Sequence, residues 1–514
     1  MEYFADYKYI EFDGELFFTV ILLPDSRWTF PTIIKRSPYV AQFTEKTEDE
    51  IVQSCLTTNQ ATLDRGYAVV YQHCRGQGKS TGAFVPYIQE HEDSRFLREW
   101  IRKQPFYNGE LYLQGASYTS SLHYEATPFE EDIKGAVFEV QDSERYRLWY
   151  RNGQMRKGHA NWHFNLYKDK CNLTKTHTMK SFSRLPLKNL SKVVLGECAQ
   201  DFEEMLAAER PEHDFWNTRA GGVCTRNALK NVNIPILLTT GYNDFYVGGV
   251  FDMWDKMDKE TKAKSALLVS PYDHGDGCRS EKGILFPNGK RREAFGEQYP
   301  LDWFDHIRKG TEIPFSKGEI TYYRAFENKW ETGFKKPQTK DYKISLGCGE
   351  ETFCYNPLDP PAFCEPGIFI EGTHEREDVI TVYTKPLDRD VFIKGKMKAV
   401  LQVASDCEDT SFYVHVSIKK SQGEYSLRHD ITSLCYQLEK YDVNDKAELT
   451  FHFDEYAFLL RKNECLRIDI SSTDDNTYVC HTNQKGPYYL QTSVKTATNK
   501  VFLDHSFLIL PIEE

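Results

Sequence analysis

The sequence lacks the long apolar runs, the paired cysteines and the surplus of positive charge that mark several classes of protein. No uninterrupted apolar run approaches the ~18 residues of a membrane span, and residues 1–8 do not combine a basic start with an apolar core. The 13 cysteines form neither C-x-x-C pairs nor the paired spacings of a zinc site. We therefore expect a cytoplasmic protein with reduced thiols, no membrane partner, and no bound metal or other cofactor.

Charge and length narrow the class further. The 64 basic residues are outnumbered by 76 acidic residues, for a net charge of −12, which argues against a nucleic-acid partner because phosphate backbones bind basic surfaces. A chain of 514 residues is too long for one core, and ~150 residues per domain suggests about three units. The oligomeric state stays open at this point, with a homodimer as one option.

Strand-like and helix-like segments alternate in two separate parts of the chain. A helix is predicted over Asp93–Ile101, with Asp93 as its N-cap and apolar residues on one face. Alternation of this kind predicts a parallel, doubly wound α/β sheet. The strand-like segments are 15–23, 32–34, 67–71, 111–113, 135–140, 234–240 and 266–270.

The remaining regions have a different character. No clear strand occurs between 143 and 225, where helices such as 201–209 are expected, and short β-rich runs follow one another beyond about residue 341. The predicted organisation is an α/β domain in two parts (1–142 and 226–340), a helical cap insertion (143–225) and an all-β jelly-roll domain (341–514).

One short segment predicts a nucleophile. The apolar residues Leu111–Leu113 lead into Gly115-Ala-Ser117-Tyr118 and then into helix-compatible sequence. A serine at a sharp strand-to-helix turn is how α/β-hydrolases present a nucleophilic hydroxyl, and the glycine two residues earlier relieves crowding there. The sequence therefore predicts that Ser117 is a catalytic nucleophile.

A matching acid and base follow later in the chain. Asp244 comes after the strand 234–240, and His274 comes after the strand 266–270. The order Ser, acid, His is that of α/β-hydrolases, and the carboxyl ends of parallel strands share one edge of the sheet. Asp273 is a rival acid, but a residue adjacent to His274 cannot readily orient its imidazole.

Together these segments resemble the family of cocaine-esterase-like hydrolases and X-Pro dipeptidyl-peptidases. The similarity extends to 75–82, which resembles the R-G-x-G-x-S-x-G loop of that family, and to β-rich segments such as 409–414 and 466–472. The resemblance implies a serine hydrolase that forms an acyl-enzyme, with Ser117, Asp244 and His274 as the catalytic triad. It also implies an oxyanion hole made by the Tyr118 backbone N–H and the Tyr39 hydroxyl.

The chain departs from the family pattern at two positions. Thr119 stands where glycine is usual, and His73 stands where the family has aspartate. These departures motivate an alternative in which the fold is a catalytically inert binding protein. A phosphate-binding loop at Gly78-Lys79-Ser80 is a weaker alternative, because the P-loop template needs glycine at the position of His73.

The substrate is expected to be a small-molecule ester or a short peptide. An X-Pro dipeptidyl-peptidase, the main alternative to an esterase, needs a cap carboxylate for the substrate amine. The candidates Glu203, Glu204 and Glu209 equally fit a solvated helix face, so ester or amide hydrolysis is favoured. The aromatic cap residues either suit an apolar acyl group or form the core of the cap; they are Tyr146, Trp149, Tyr150, Trp162 and Phe164.

Overall fold

The first part of the chain folds around a mixed α/β sheet, and the last part forms two antiparallel sheets. The computed structural model describes residues 3–124, 129–141, 143–166, 180–216, 232–276, 286–370, 375–421 and 423–514. The strands of the first part are β1 (Phe4–Phe12), β2 (Glu15–Leu23), β3 (Phe30–Ser37), β4 (Ala68–His73), β5 (Tyr107–Ala116), β6 (Ile133–Glu139), β7 (Tyr150–Arg151), β8 (Gln154–Met155), β9 (Ile236–Gly241), β10 (Ala266–Ser270), β11 (Ile320–Arg324) and β12 (Lys329–Thr332). Its helices are α1 (Glu48–Asp64), α2 (Glu90–Arg102), α3 (Tyr118–Tyr124), α4 (Arg145–Trp149), α5 (Lys157–Asn165), α6 (Leu190–Leu195), α7 (Gln200–Ala207), α8 (Val247–Lys256), α9 (Lys259–Lys264), α10 (Arg291–Phe295) and α11 (Tyr299–Lys309).

The last part is built from strands and one four-residue helix. The helix is α12 (Leu434–Gln437). The strands are β13 (Thr339–Ser345), β14 (Glu350–Tyr355), β15 (Phe369–Ile370), β16 (Ile380–Tyr383), β17 (Val391–Gly395), β18 (Lys398–Ser405), β19 (Ser411–Lys420), β20 (Gly423–Ser433), β21 (Ala447–His452), β22 (Tyr456–Leu460), β23 (Cys465–Ser471) and β24 (Ala497–Glu513).

The first sheet is mixed, with a parallel centre and antiparallel edges. Within the described residues its order is β1-β2-β4-β3-β5-β6-β9-β10-β11-β12. The pairs from β4 through β11 are parallel, whereas β1–β2, β2–β4 and β11–β12 are antiparallel.

Helices cover both faces of this sheet. Successive residues of a strand point to opposite faces, so Val69 packs in the cluster containing α1, whereas Val70 packs in the cluster containing α2 and α8. Leu237 likewise shares a cluster with the aromatic residues of α11, such as Trp303. The predicted doubly wound α/β class is confirmed, and the carboxyl ends of β3, β5, β9 and β10 meet at one edge.

The last part is an all-β domain, as predicted. One sheet has the order β21-β18-β24-β17-β22 with β13 and β14 also paired to β24, and the other has the order β15-β20-β19-β23-β16. Every pairing in these two sheets is antiparallel among the described residues. The two inner faces share one apolar core, which includes Leu401, Val414 and Ile468.

A helical insertion lies between β6 and β9. Its described helices α4, α5, α6 and α7 pack around a cluster of buried aromatic residues. Of the predicted cap, 143–225, the first residue is described, whereas the predicted end at residue 225 falls outside the described residues. No helix in the described part of the chain is both long and apolar enough to cross a membrane.

The predicted N-cap of α2 was wrong. The helix begins at Glu90, and Asp93 lies in its first turn, buried. Asp93 Oδ1 accepts a hydrogen bond of 2.6 Å from Arg75, and its other oxygen lies 3.6 Å from Arg36. Aspartate marks both helix caps and buried ion pairs, so the residue type alone could not distinguish the two.

Candidate active site

Ser117 lies at the turn between β5 and α3. Its backbone has φ of +56°, a left-handed conformation that is uncommon for a residue with a side chain and typical of strained functional turns. The turn is held by its own backbone, since Ser117 N donates to Glu139 O at 2.8 Å and Ser120 N donates to Ser117 O at 2.9 Å. The sequence signal for a strand-to-helix elbow therefore corresponds to a real, strained elbow.

The residues flanking the elbow explain why it can form. A Cβ on Gly115 would lie 2.6 Å from Ser120 N and still closer to the Thr119 carbonyl, so only glycine fits there. Thr119 does not crowd the turn. Its hydroxyl accepts a hydrogen bond from Ala116 N and donates one to Ala116 O, both at 2.7 Å, and so ties the helix back to the end of the strand.

Asp244 and His274 form a hydrogen-bonded pair in adjacent loops. His274 Nδ1 lies 3.0 Å from Asp244 Oδ2, and the Asp244 side chain is fully buried. Asp244 Oδ1 accepts a second bond from Tyr246 N at 3.0 Å. Because a carboxylate only accepts, Nδ1 carries the proton of the neutral ring, and Nε2 has its lone pair available as a base.

The imidazole is also held from the side. The Phe245 ring stacks on His274 with a centroid distance of 5.5 Å, and the Tyr246 ring lies at 5.4 Å. Within the described residues no direct hydrogen bond links Ser117 Oγ to His274, a contact that often tightens only when substrate binds. Both side chains line the same cavity.

Tyr39 follows β3 and reaches the same cavity. Its hydroxyl accepts a hydrogen bond from Trp162 Nε1 at 3.2 Å and interacts with the Ser117 side chain. Burial raises the pKa of Tyr39 to about 12, so the phenol stays protonated and remains a donor at neutral pH. The hydroxyl therefore has the position and the proton that an oxyanion donor needs.

Tyr118 contributes differently through its side chain and its backbone. The ring is buried, and its hydroxyl donates to Glu90 and accepts from Tyr87 N at 3.0 Å. Burial raises the pKa of Glu90. These bonds fix the first residue of α3, whose backbone N–H is the predicted second oxyanion donor. The role of Glu90 beneath the elbow had no signal in the sequence.

The cavity between the elbow, the cap and the β domain has a volume of about 690 Å³. Among the five aromatic cap residues singled out in the sequence, Trp162 lines this cavity, whereas the other four are buried in the core of the cap. The cavity is therefore less aromatic than the composition of the cap indicates.

The three candidate amine-binding carboxylates do not line this cavity. Glu203 accepts hydrogen bonds from Asn189 N, Ser191 N and Ser191 Oγ at 2.6–2.9 Å, Glu204 binds Gln200 at 3.1 Å, and Glu209 accepts from Tyr489 N at 3.1 Å. The bonds of Glu203 and Glu204 lie within the cap, whereas Glu209 joins the cap to the β domain, to which residue 489 belongs.

In the loop that resembles a P-loop, the Lys79 N–H and the Ser80 hydroxyl are hydrogen-bonded to His73. The Lys79 backbone N–H donates to His73 Nδ1 at 3.3 Å, and the Ser80 hydroxyl donates to His73 O at 3.0 Å. His73 is buried, and burial lowers its pKa to about 4. A neutral imidazole thus replaces the aspartate of the family pattern as the organiser of this loop.

The β domain forms one wall of the cavity. Arg428 donates to the Tyr242 carbonyl beside the Asp244 loop, and Asn243 Nδ2 donates to the Tyr425 hydroxyl at 3.2 Å. Other β-domain residues, including Asp454 and Tyr478, reach the cavity itself. No sequence pattern indicated these contributions, because they come from strands far along the chain.

The fold and the site define the class of protein, an α/β-hydrolase with a cap insertion and an antiparallel β domain. Comparison with known proteins agrees. The family model of X-Pro dipeptidyl-peptidase (S15 family) matches residues 13–276, and that of the X-Pro dipeptidyl-peptidase C-terminal non-catalytic domain matches residues 315–506. The chain belongs to the S15 family, and it is a serine hydrolase of esters or amides.

Individual relatives are distant in sequence but cover most of the chain. Cocaine esterase from Rhodococcus sp. (strain MB1 Bresler) is 23% identical over an alignment of 459 residues, and the match covers 78% of this chain and 77% of that protein. An α-amino acid ester hydrolase superposes with a TM-score of 0.81 at 17% identity, covering 99% of this chain and 97% of its own. An aminopeptidase from a marine sediment archaeon, Thaumarchaeota archaeon, gives 0.80 at 16% identity, covering 100% and 97%.

Proposed function

We propose that Ser117, His274 and Asp244 are the catalytic triad of this hydrolase, with Tyr39 and the Tyr118 N–H as its oxyanion hole. The observation that carries the proposal is the His274–Asp244 hydrogen bond of 3.0 Å, made at the rim of the cavity that Ser117 also lines. A strained serine, a base with a free Nε2 and a buried carboxylate behind it are the parts that acyl transfer requires.

The reaction proceeds in two halves. His274 Nε2 takes the hydroxyl proton as Ser117 Oγ attacks the substrate carbonyl, and Asp244 stabilises the imidazolium that forms. The tetrahedral intermediate then collapses, its bond to the leaving group breaks, and His274 returns the proton to that group. Water enters the acyl-enzyme by the same route in reverse, which releases the acid and the free serine.

The oxyanion is stabilised by two donors of different origin. The Tyr39 phenol is protonated at neutral pH, as an ordinary phenol is, and it accepts a hydrogen bond from Trp162. The backbone N–H of Tyr118 follows the nucleophile directly, and the buried Tyr118 ring keeps it in place. Such donors act on charge that develops only in the transition state, so they raise kcat rather than affinity.

Small-molecule esters, with amides as the slower class, are the substrates we propose. An X-Pro dipeptidyl-peptidase activity lacks support from Glu203, Glu204 and Glu209, because all three are engaged within the cap or with the β domain. The names of the relatives include esterases as well as peptidases. A cytoplasmic location and a homodimer stay predictions from the sequence.

Labelling with a fluorophosphonate probe tests the nucleophile. The parent protein should label, and Ser117→Ala should lose both labelling and the hydrolysis of p-nitrophenyl esters. Ser121→Ala is the matched control, because Ser121 lies in the same helix and its hydroxyl donates to Tyr118 O at 2.6 Å. Labelling that survives Ser117→Ala would refute the assignment, and Xaa-Pro-p-nitroanilides cleaved faster than esters would reverse the substrate preference.

A further inference from the structure

Four of the residues that line the cavity carry a buried polar atom without a hydrogen-bond partner in the described part of the chain. Arg156 Nε, His159 Nε2, Asn161 Oδ1 and His429 Nδ1 are buried and make no hydrogen bond among the described residues, and all four residues line the cavity. Buried polar groups are normally satisfied, and each exception calls for a partner. A cluster of such atoms in one cavity points to a bound molecule.

The cation in this cluster is the feature that selects a ligand. In the described part of the chain, the Arg156 side chain makes neither an ion pair nor a hydrogen bond, although its backbone N donates to Trp149 O at 2.7 Å. The guanidinium is a fixed fork of five donors that matches a carboxylate. It is therefore free to bind an anionic ligand.

Two of the nearby carboxylates are already paired with other arginines, although the charge of Arg156 also acts on Asp454. Asp454 lies 3.4 Å from Arg151 and 3.5 Å from Arg147, and Asp430 accepts from Arg151 at 2.6 Å. Arg428, which lines the cavity together with Arg151 and Arg156, donates its hydrogen bonds to backbone carbonyls such as Glu455 O at 2.8 Å. Among the arginines that line the cavity in the described residues, Arg156 is thus the one whose side chain has no hydrogen-bonded or ion-paired partner.

The uncharged members of the cluster suit the same ligand. His159 is 7% exposed. Burial, and then electrostatic interactions with neighbouring basic residues that include Arg145, lower its pKa well below the ordinary value, so the ring is neutral and one nitrogen can donate. His429 behaves likewise, with burial as the main cause of its lowered pKa. Neutral rings that can donate hydrogen bonds stabilise a carboxylate without adding a competing proton equilibrium.

The geometry of α5 relates these residues to the reacting atoms. Arg156 is the N-cap of α5, His159 and Trp162 follow it at intervals of three residues, and the Trp162 ring stacks on His159 at 4.8 Å. Trp162 in turn donates to Tyr39, which interacts with Ser117. A helix rises about 9 Å over six residues, so an anion at Arg156 would lie several bonds from a carbonyl held near Tyr39.

We propose that this hydrolase is selective for substrates that carry a carboxylate several bonds from the scissile carbonyl, with Arg156 as the carboxylate-binding residue and His159 and His429 as supporting donors. The proposal rests on the proposed function, since it names the substrate class of the same site. An amine-binding site needs a carboxylate to hold the cation, whereas Arg156 presents a guanidinium that has no hydrogen-bonded or ion-paired partner among the described residues.

The test compares anionic and neutral esters of equal chain length. In the first comparison the carboxylate is on the acyl group, and p-nitrophenyl hydrogen adipate and suberate are compared with p-nitrophenyl hexanoate and octanoate. In the second it is on the leaving group, and 4-acetoxybenzoate is compared with phenyl acetate. The parent should prefer the anionic ester in one comparison, which identifies the part of the substrate that bears the carboxylate. A parent that prefers the neutral ester in both comparisons overturns the proposal, whatever the variants do.

Arg156→Gln should lower the ratio of kcat/KM for the anionic ester to that for the neutral ester by about 10- to 100-fold, the value of a charge-assisted bond. Arg156→Lys should restore part of that ratio, because it keeps the charge and loses the fork. Arg27→Gln, at a side chain that is 78% exposed, should leave it unchanged. An unaltered ratio in a folded Arg156→Gln overturns the proposal.

The two proposals fail in different ways. Ester hydrolysis that persists in Ser117→Ala would remove the proposed function and this inference together. Hydrolysis that depends on Ser117 but shows no dependence on Arg156 would remove this inference alone.

Discussion

Replacement of Tyr39 by phenylalanine isolates one hydroxyl at the reacting centre. The phenol accepts from Trp162 Nε1 at 3.2 Å and interacts with Ser117, and the Tyr39 backbone N–H donates to Ser37 Oγ at 3.0 Å. The backbone anchor does not involve the side chain, so the phenylalanine ring would keep the place of the phenol ring. The change therefore removes a hydrogen-bond donor with little other rearrangement.

The magnitude follows from what each lost bond does. Loss of one oxyanion donor costs about 3 kcal/mol of transition-state stabilisation, roughly 10²–10³ in kcat, because the Tyr118 N–H then acts alone. Trp162 loses an acceptor, but its indole is only half-buried, and water can replace the phenol. We expect the free energy of unfolding to change by less than about 1 kcal/mol.

The assay is steady-state hydrolysis of a p-nitrophenyl ester, with a thermal unfolding scan of each variant. Because the donor acts only in the transition state, kcat and kcat/KM should fall together. Tyr342→Phe, at an exposed ring, is the control and should behave as the parent. A decrease in kcat of less than about tenfold in Tyr39→Phe would refute the assignment of Tyr39 to the oxyanion hole.

Three further outcomes are expected. Asp244→Asn should lower kcat by about 10⁴ in ester assays with the fold intact, because the amide no longer holds the imidazole in the tautomer whose Nε2 is the base; a loss below about 100-fold would contradict the orienting role. Gly115→Ala should abolish fluorophosphonate labelling and lower Tm, since its Cβ would meet Ser120 N at 2.6 Å; a labelled, stable variant would show that the elbow tolerates a side chain. Burial raises the pKa of Glu209 to about 7, so the folded state holds its proton more tightly than the unfolded state, and stability should fall as pH rises from about 4.5 to 7. Denaturant titrations at pH 5 and pH 8 should show a smaller fall in Glu209→Gln, and identical falls in both proteins would contradict the buried-acid interpretation.

Much of the catalytic edge could be predicted from the sequence because its signals are local. Ser117, Asp244 and His274 each follow a buried strand within a few positions, and parallel strands bring such positions to one edge, whereas Tyr39 was a candidate only through the family resemblance. The elbow needs a glycine that no other residue can replace, and Gly115 supplied that signal. Local chemistry and topology were therefore sufficient for these positions.

The walls of the cavity were less predictable. Helical periodicity shows which cap residues share a face, but not which face a cavity borders, so Trp162 could not be separated from Trp149 in the sequence. The β-domain residues Arg428 and Asp454 reach the cavity from strands whose pairing is set by long-range contacts. Their contribution depends on tertiary packing, which a single sequence does not encode in any short pattern.

The pairing of β24 has a consequence for biosynthesis. This one strand pairs with β13, β14, β17 and β18. The larger β sheet therefore lacks its central strand until the residues from 497 onwards have emerged from the ribosome. The α/β sheet needs nothing beyond β12 for its own pairing. We expect a nascent chain that stops before residue 497 to hold a protease-resistant first part, an open substrate cavity and no turnover; resistance of its last part to limited proteolysis would show otherwise.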